Sequence, residues 1–249
     1  MRGGGKVGWL ARLVALVLDP LLLLATRRRW SGLEHIPKSG GAIVAVNHNS
    51  YVDPLALMHF VYRAGRWPHF LSKVELFRIP VFGRAIRALG QIPVHRGTAN
   101  AADALRDARS ALERGECVVI YPEGTVTRDP DYWPMAGRTG AVRLALETGA
   151  PVIPVALWGA QQILGHDGRV RLFPRRTLTV VAGPPLDLSA YAVEPQSIES
   201  LREATDEVMS AVRRQLGEIR GEAPPVAFFD PRAATGMGAP AGDRDRRPV

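Results

Sequence analysis

From residue 41 onward, the chain alternates between short apolar runs and longer segments with helical periodicity. The runs GAIVAV (41–46) and ECVVIYP (116–122) are rich in β-branched residues, which is typical of strands that are buried on both faces. Gly115 and Gly149 follow two of the helical segments, at a position where helices commonly end. Strands that alternate with helices predict an α/β fold, with a mostly parallel central sheet flanked by helices.

The predicted elements continue this pattern to residue 219. The predicted strands are residues 41–46, 69–73, 91–96, 116–122, 150–157, 169–173 and 177–183. The predicted helices are residues 54–64, 75–90, 100–115, 137–149 and 196–219, the second of them broken. Segment 75–90, where arginines interleave with apolar side chains, has two interpretations. It is a helix that packs on the core with a solvated basic face, or a second membrane contact beside the active site.

The first 30 residues differ from the rest of the chain. They carry six basic residues against Asp19 alone, and residues 7–30 are strongly apolar apart from Arg12, Asp19 and Pro20. Charges and proline are costly at the centre of a spanning helix. We therefore expect two short apolar helices that lie in the membrane interface. A single span and a cleaved secretory signal are the alternatives, although RRRW follows the apolar run in place of a small-residue cleavage site.

Composition limits the remaining possibilities. With 249 residues, 46% of them hydrophobic, the chain is large enough to bury a core. We place one domain at residues 31–221, after an N-terminal apolar helical membrane-contact segment at 1–30. Residues 222–249 are rich in Ala, Pro and Gly and are predicted to be disordered. The single cysteine, Cys117, lies in a predicted strand, so we expect a buried structural thiol.

The net charge of +8 indicates an anionic partner. A membrane surface fits this charge because much of the excess lies in the apolar N-terminal segment. Nucleic acid is not expected as a partner, since the sequence has no zinc finger and no aromatic run of the RNP type. The predicted partners are therefore membrane lipids, and the predicted location is the cytoplasmic face of the cell membrane, in a peripheral or monotopic arrangement.

The segment VNHNSYVDP (46–54) contains a histidine and an aspartate, His48 and Asp53. On one continuous helix their side chains would point about 140° apart, so they meet only if the helix begins after His48. Asp53-Pro54 supplies such a start and leaves His48 in a loop at the carboxyl end of a strand, where α/β proteins bind ligands. Asp53 either orients His48 as a general base or merely caps the helix.

Polar residues also follow other predicted strands. Because the carboxyl ends of parallel strands share one edge of the sheet, these residues are expected to line one crevice with His48. Arginine offers paired donors that suit a phosphate, and a glycine lets the backbone approach a ligand closely. Taken singly, the arginine is also explained as a surface residue and PEG as a tight turn. The residues expected at this edge are Lys73, Arg96, Glu123, Gly124 and Thr125.

Two kinds of chemistry are not indicated by the sequence. No cluster of His, Cys and acidic residues has the spacing of metal ligands, so no metal is predicted. No G-x-S-x-G motif is present, which disfavours a serine nucleophile of that type. Ser50, beside His48, is interpreted as a helix cap.

Four blocks occur in the order NHNSYVD, GQIPVHRG, YPEGT and APVIPVAL. Through them, residues 30–185 resemble the glycerolipid acyltransferases, which are the 1-acyl-glycerol-3-phosphate acyltransferases and their relatives. The resemblance implies that His48 is the general base, that Asp53 orients it, and that Arg96 holds the phosphate of the acceptor. The family's acceptor-binding block then corresponds to Glu123, Gly124 and Thr125, with Lys73 nearby.

The sequence departs from the family pattern at one place. An arginine commonly follows the threonine of the YPEGT block, but here that residue is Val126, and the nearest arginine is Arg128. Arg128 is therefore carried as a candidate substrate-binding residue. Arg138 precedes the next glycine-containing helix, where the family usually has a basic residue.

The resemblance also implies a reaction. An acyl group would pass from acyl coenzyme A or an acyl-acyl carrier protein to the free hydroxyl of lysophosphatidate, giving phosphatidate, with no bound cofactor. The alternatives are another acceptor (glycerol 3-phosphate, another lysophospholipid or a glycolipid), a hydrolase that uses the same base on water, and a non-catalytic lipid-binding protein.

Overall fold

A computed structural model describes residues 8–94, 101–192 and 197–231. The helices are α1 Trp9–Ala25, α2 Asp53–Arg63, α3 Phe82–Ala88, α4 Ala101–Glu113, α5 Gly140–Thr148 and α6 Ile198–Arg220. The strands are β1 Thr26–Ser31, β2 Ala42–Val46, β3 Pro68–Lys73, β4 Ile92–Val94, β5 Cys117–Ile120, β6 Val152–Trp158 and β7 Arg176–Ala182.

Within these residues, seven strands form one sheet in the order β1-β7-β6-β2-β5-β3-β4. Strands β2 to β6 run parallel, whereas β7 is antiparallel to β6 and parallel to β1. The prediction of an α/β fold with a mostly parallel sheet flanked by helices is confirmed. This topology places the carboxyl ends of β2, β3, β4, β5 and β6 at one edge of the sheet, which we call the carboxyl edge. Strands β1 and β7 begin at that same edge.

The sheet separates two layers of core. Alternate residues of β2 face opposite sides: Val44 packs in the layer that contains Leu57 and Phe60 of α2, whereas Ile43 packs with residues of α4, α5 and α6. Every residue of β2 and β5 is buried, as expected for central strands that are covered on both faces. Cys117 belongs to this core and is fully buried, as predicted.

The N-terminal segment differs from its prediction. Residues 9–25 form one continuous helix that includes Pro20, so the expected pair of short helices is wrong. Asp19 ties α1 to the domain by pairing with Arg28 of β1, at 2.9 Å, and with His59 of α2. These contacts and the buried side chains of Ala11 and Leu22 support the helix through the proline. No helix of the described ranges is long and apolar enough to cross a membrane.

Three other predictions need correction. Residues 26–30, placed in the helical anchor, form the edge strand β1 together with Ser31. Residues 169–173, predicted as a strand, lie in the loop between β6 and β7, where only Val170 forms an isolated bridge, with Leu164. The tail was expected to be disordered from residue 222, yet Phe229 forms a bridge with Met135. Segment 75–90, predicted as a broken helix, comprises a 3-10 helix at Val74–Arg78 followed by α3. Residues 232–249 of the predicted tail lie outside the described part of the chain.

Candidate active site

His48 and Asp53 meet at the carboxyl edge of the sheet. His48 lies in the loop that follows β2, and Asp53 is the first residue of α2. The imidazole Nδ1 lies 2.9 Å from Asp53 Oδ2. If Nδ1–H donates to the carboxylate, the lone pair of Nε2 is left to accept a proton. The geometry therefore favours the oriented-base interpretation of this pair over the cap interpretation.

Asp53 is held by its neighbours as well as by His48. Its Oδ2 accepts hydrogen bonds from the backbone N–H groups of Asn49, at 2.6 Å, and Ser50, at 2.8 Å. Complete burial raises the pKa of Asp53, and the hydrogen bonds from His48 and the two backbone groups oppose that rise. The three hydrogen-bond donors around Oδ2 hold the Asp53 carboxylate in one orientation. Asp53 therefore presents this oxygen to His48 Nδ1 at a well-defined position.

The loop that carries His48 is fastened to β6 on one side. The amide of Asn47 donates to the carbonyl of Leu157, at 2.9 Å, and accepts from the N–H of the same residue, at 2.8 Å. Asn49 also donates to that carbonyl, at 3.2 Å. The asparagine amide thus takes the place of a backbone partner beyond the end of β2, and the loop leaves the sheet at a fixed position.

The segment after β5 holds the backbone of His48 on the other side. Glu123 Oε1 accepts from the N–H of His48, at 2.8 Å, and Oε2 accepts from the N–H of Met135, at 3.0 Å. The carbonyl of His48 accepts from the N–H of Thr127, at 2.7 Å. Thr127, whose hydroxyl donates to the carbonyl of Trp133, was missed by the sequence reasoning, because nothing in a threonine two residues beyond YPEGT marks a backbone contact.

Glu123 has both of its carboxyl oxygens engaged by the protein backbone. The side chain is buried, with both oxygens engaged by backbone groups. Burial raises the pKa of Glu123 to about 8, and the hydrogen bonds from Met135 and His48 oppose this rise. A carboxyl in that position connects two loops, and we propose that it positions His48.

The sequence model of the family described as Acyltransferase matches residues 27–158, which include β1 through β6 and the whole of the loop with His48 and Asp53. The chain belongs to the acyltransferase family. This match confirms the acyltransferase resemblance that the four sequence blocks carry.

Relatives of this acyltransferase include proteins named 1-acyl-sn-glycerol-3-phosphate acyltransferases. A chloroplastic one from Brassica napus is 34% identical over 141 residues, covering 55% of this chain and 39% of its own length. One from Borreliella burgdorferi is 33% identical over 129 residues, covering 51% of this chain and 50% of its own length. The chain therefore spans half or less of the length of these relatives.

A solved structure shares the fold. It is the 1-acyl-sn-glycerophosphate acyltransferase PlsC from Thermotoga maritima, which is 27% identical, with a TM-score of 0.66. The likeness covers 86% of this acyltransferase and 81% of that chain. The shared architecture thus extends well beyond the residues that the family model matches.

Tyr121, from the YPEGT block of this acyltransferase, packs directly on the histidine. Its ring stacks on the imidazole of His48 with centroids 4.1 Å apart and an interplanar angle of 24°. Phe70 lies on the tyrosine, with the centroids at 6.4 Å. Burial, together with the charge of Asp53, raises the pKa of the Tyr121 hydroxyl well above its ordinary value. The phenol thus stays neutral, and its ring supports the imidazole of His48.

Replacing Tyr121 by phenylalanine is expected to leave the free energy of unfolding unchanged or to raise it, by at most about 3 kcal/mol. The reason is that its hydroxyl oxygen is buried without a hydrogen-bond partner among the described residues, whereas the ring stack survives the change. Chemical denaturation of the two proteins measures the difference. Tyr121→Ala, which removes the stack, is the contrasting variant and should lower the stability. A destabilised Tyr121→Phe protein would show that the hydroxyl has a favourable partner.

The other predicted site residues differ in their position and in their exposure to solvent. Gly124 has a φ of +75°, and the guanidinium of Arg138 lies so close that an added Cβ would be 2.9 Å from its Nε. Lys73 ends β3 at the carboxyl edge with an exposed side chain, and Thr125 is half-buried beside Gly124. The remaining two are Arg128, whose side chain is exposed, and Arg96, which lies outside the described residues.

Within the described ranges, no group of three or more His, Cys, Asp or Glu side chains is arranged to hold a metal ion. The Ser50 hydroxyl donates to the carbonyl of Leu164, at 2.7 Å, and accepts from the N–H of Val52, at 3.2 Å. Ser50 therefore acts as a structural link in the loop.

Proposed function

We propose that this chain transfers a fatty acyl group from an acyl thioester to the free hydroxyl of 1-acyl-glycerol 3-phosphate, giving phosphatidate. The observation that carries the proposal is the 2.9 Å contact between His48 Nδ1 and Asp53 Oδ2 at the edge of the sheet where α/β proteins bind ligands. The names of the relatives support the choice of acceptor. Because this chain covers only part of the length of those relatives, its activity is stated as a proposal.

The proposed reaction is a direct transfer. His48 Nε2 accepts the proton of the acceptor hydroxyl as its oxygen attacks the thioester carbonyl. The new C–O bond gives a tetrahedral intermediate, whose collapse breaks the C–S bond. The leaving thiolate then takes the proton from the imidazolium, which Asp53 has stabilised in the meantime. Such base catalysis contributes about 10²–10⁴-fold, and the alignment of two substrates contributes further.

The energy for the reaction is stored in the thioester, so the proposal includes no bound cofactor. Acyl coenzyme A and acyl-acyl carrier protein are the donors considered. Arg96 is proposed to hold the acceptor phosphate together with Lys73, which ends β3 at the carboxyl edge, since guanidinium and phosphate form paired hydrogen bonds. Thr125 and Arg128 are proposed as further contacts to the acceptor.

Both substrates carry acyl chains, so we place the reaction at a membrane surface. We propose that α1 lies in the interface on the cytoplasmic face, as a peripheral or monotopic anchor. Its outward side chains include Trp9, Leu16 and Leu24, which are 77%, 72% and 74% exposed. An exposed apolar row of this kind is what an interfacial helix presents to lipid.

An acceptor panel tests the proposed function. Purified full-length protein is assayed with labelled acyl coenzyme A or acyl-acyl carrier protein and lysophosphatidate, glycerol 3-phosphate, lysophosphatidylcholine or no acceptor. We expect product with lysophosphatidate, and we expect Arg96→Ala to raise the KM for lysophosphatidate more than it lowers kcat. Arg109→Ala, which affects an exposed arginine paired with Glu113, is the control. Release of free fatty acid in place of phosphatidate would indicate a hydrolase, and product with another acceptor alone would refute the proposed substrate.

A further inference from the structure

The exposed apolar side chains are unevenly distributed over the molecule. Of the seventeen large hydrophobic side chains that are exposed in the described part of the chain, fifteen belong to four segments. The other two are Ile198 and Val226. Single exposed apolar residues are normal on a soluble surface, whereas grouped ones mark an interaction site. The four segments are α1, residues 51–55, residues 76–82 and residues 170–173.

The topology brings three of these segments and the C-terminal end of α1 to the carboxyl edge of the sheet. Residues 51–55 connect the His48 loop to α2, and residues 76–82 follow β3. Residues 170–173 connect the end of β6 to the beginning of β7, and α1 ends where β1 begins beside β7. The apolar side chains of these three segments and of the final turns of α1 therefore lie around the edge at which His48 and Asp53 are found.

The β6–β7 loop, residues 163–175, connects the active site to α1. At one end, the carbonyl of Leu164 accepts a hydrogen bond from Ser50 Oγ, at 2.7 Å. At the other end, the guanidinium of Arg175 donates to the carbonyls of Leu23 and Thr26, the second at 2.8 Å. The loop is thus held beside the final turn of α1, and its surface continues the exposed surface of that helix.

The tip of this loop combines apolar and basic side chains. Phe173 is 85% exposed and Val170 is 65% exposed, and Leu172 lies between them. Three arginines and one aspartate accompany them in the loop, and Arg171 pairs with that aspartate, Asp167, at 3.1 Å. Arg27 and Arg29 add exposed side chains from the neighbouring strand β1. Apolar side chains surrounded by arginines fit the boundary between acyl chains and anionic headgroups.

We propose that the β6–β7 loop is a second lipid-inserting element. It places Leu172 and Phe173 into an anionic bilayer surface beside α1, so that the His48–Asp53 pair faces the membrane. The inference rests on the proposed function only for the identity of the surface, because substrates with acyl chains are drawn from a membrane. The loop itself is identified by its exposure, its arginines and its attachment to α1.

A probe at residue 173 tests insertion directly. Phe173→Cys in the full chain is labelled with an environment-sensitive fluorophore and mixed with vesicles of phosphatidylcholine, with or without phosphatidylglycerol. Labelling is selective because the single native cysteine, Cys117, is buried, and this burial raises the pKa of its thiol to about 11. The control is Ile198→Cys, which is 67% exposed at the start of α6, near the opposite edge. We expect the fluorescence emission of the label at residue 173 to shift to the blue and to be quenched by spin-labelled lipid. The label at residue 198 should show neither change.

Partitioning measures the contribution of the loop. Flotation with the anionic vesicles should show the double variant Leu172→Ser/Phe173→Ser binding roughly 10- to 100-fold more weakly than the native chain. The matched variant Ile198→Ser should bind as the native chain does. Arg169→Gln should weaken binding about fivefold, on anionic vesicles only.

Two results would overturn the inference. The first is a fluorophore at residue 173 whose emission on vesicle-bound protein remains the same as in water. The second is a native chain that does not bind to anionic vesicles. An acyl-transfer assay with lysophosphatidate dispersed in detergent separates the two proposals. Insertion at 173 without any acyl transfer would refute the proposed function and leave the lipid-inserting loop standing. Acyl transfer with a probe that remains in water would refute the loop and leave the function standing.

Discussion

Replacing His48 by alanine is expected to lower kcat for acyl transfer by about 10²–10⁴-fold, the usual contribution of a positioned general base. The side chain is the group that can accept the proton of the acceptor, because its Nδ1 is engaged by Asp53 at 2.9 Å. Asp53→Asn should lower kcat as well, since an amide can donate to Nδ1 and so favour the wrong tautomer. The double variant should be little worse than His48→Ala alone, because the two residues act as one unit.

The control for this experiment is His35→Ala. His35 is also a histidine with one hydrogen bond from its ring, to the carbonyl of Ala182 at 2.9 Å, but that carbonyl is at the end of β7, opposite the carboxyl edge. Thermal denaturation of each variant shows whether the fold survives. A folded His48→Ala protein that keeps nearly the native kcat would contradict the base assignment. Additive losses in the double variant would contradict the coupling of His48 and Asp53.

The elements that sequence predicts well are those whose pattern is local. The buried parallel strands read as β-branched apolar runs because both of their faces are covered, and six of the seven predicted strands, 41–46 among them, correspond to strands of the parallel sheet or to β7. The meeting of His48 and Asp53 also follows from local chemistry, because Asp53-Pro54 starts a helix and leaves the histidine in the loop before it.

The failures depend on contacts between distant residues. The strand β1 carries three arginines in TRRRWS, and only its parallel pairing with β7 makes it a strand. The helix α1 continues through Pro20 because Asp19 is tied to Arg28 and His59, neither of which is near it in sequence. The two backbone partners of Glu123, His48 and Met135, are likewise apparent only when the chain is folded.

Replacing Glu123 by glutamine is expected to lower kcat by about 10²-fold, the effect of a small displacement of a catalytic group, and to leave the KM for lysophosphatidate unchanged. The amide nitrogen cannot accept a hydrogen bond, so one of the two backbone N–H groups, that of His48 or that of Met135, loses its partner. This loss should also cost about 1–3 kcal/mol of stability. Steady-state kinetics separates kcat from KM, and denaturation measures the stability.

The pH dependence of stability gives an independent check on Glu123. Burial raises its pKa to about 8 in the folded chain, compared with about 4.3 for an unfolded glutamate, so the folded state binds more protons between these values. Its contribution to stability is present below about pH 4 and is lost as the pH rises through about 8. Glu123→Gln, which does not titrate, should lose less stability than the native chain between about pH 5 and 8. The control is Glu113→Gln, a variant of an exposed residue paired with Arg109. The pH dependence of its stability should match that of the native chain.

A different result for Glu123→Gln would support the acceptor-binding role of Glu123. That result is a raised KM for lysophosphatidate with an unchanged kcat and an unchanged pH dependence of stability, because a carboxyl that binds the ligand affects substrate affinity before it affects the position of His48.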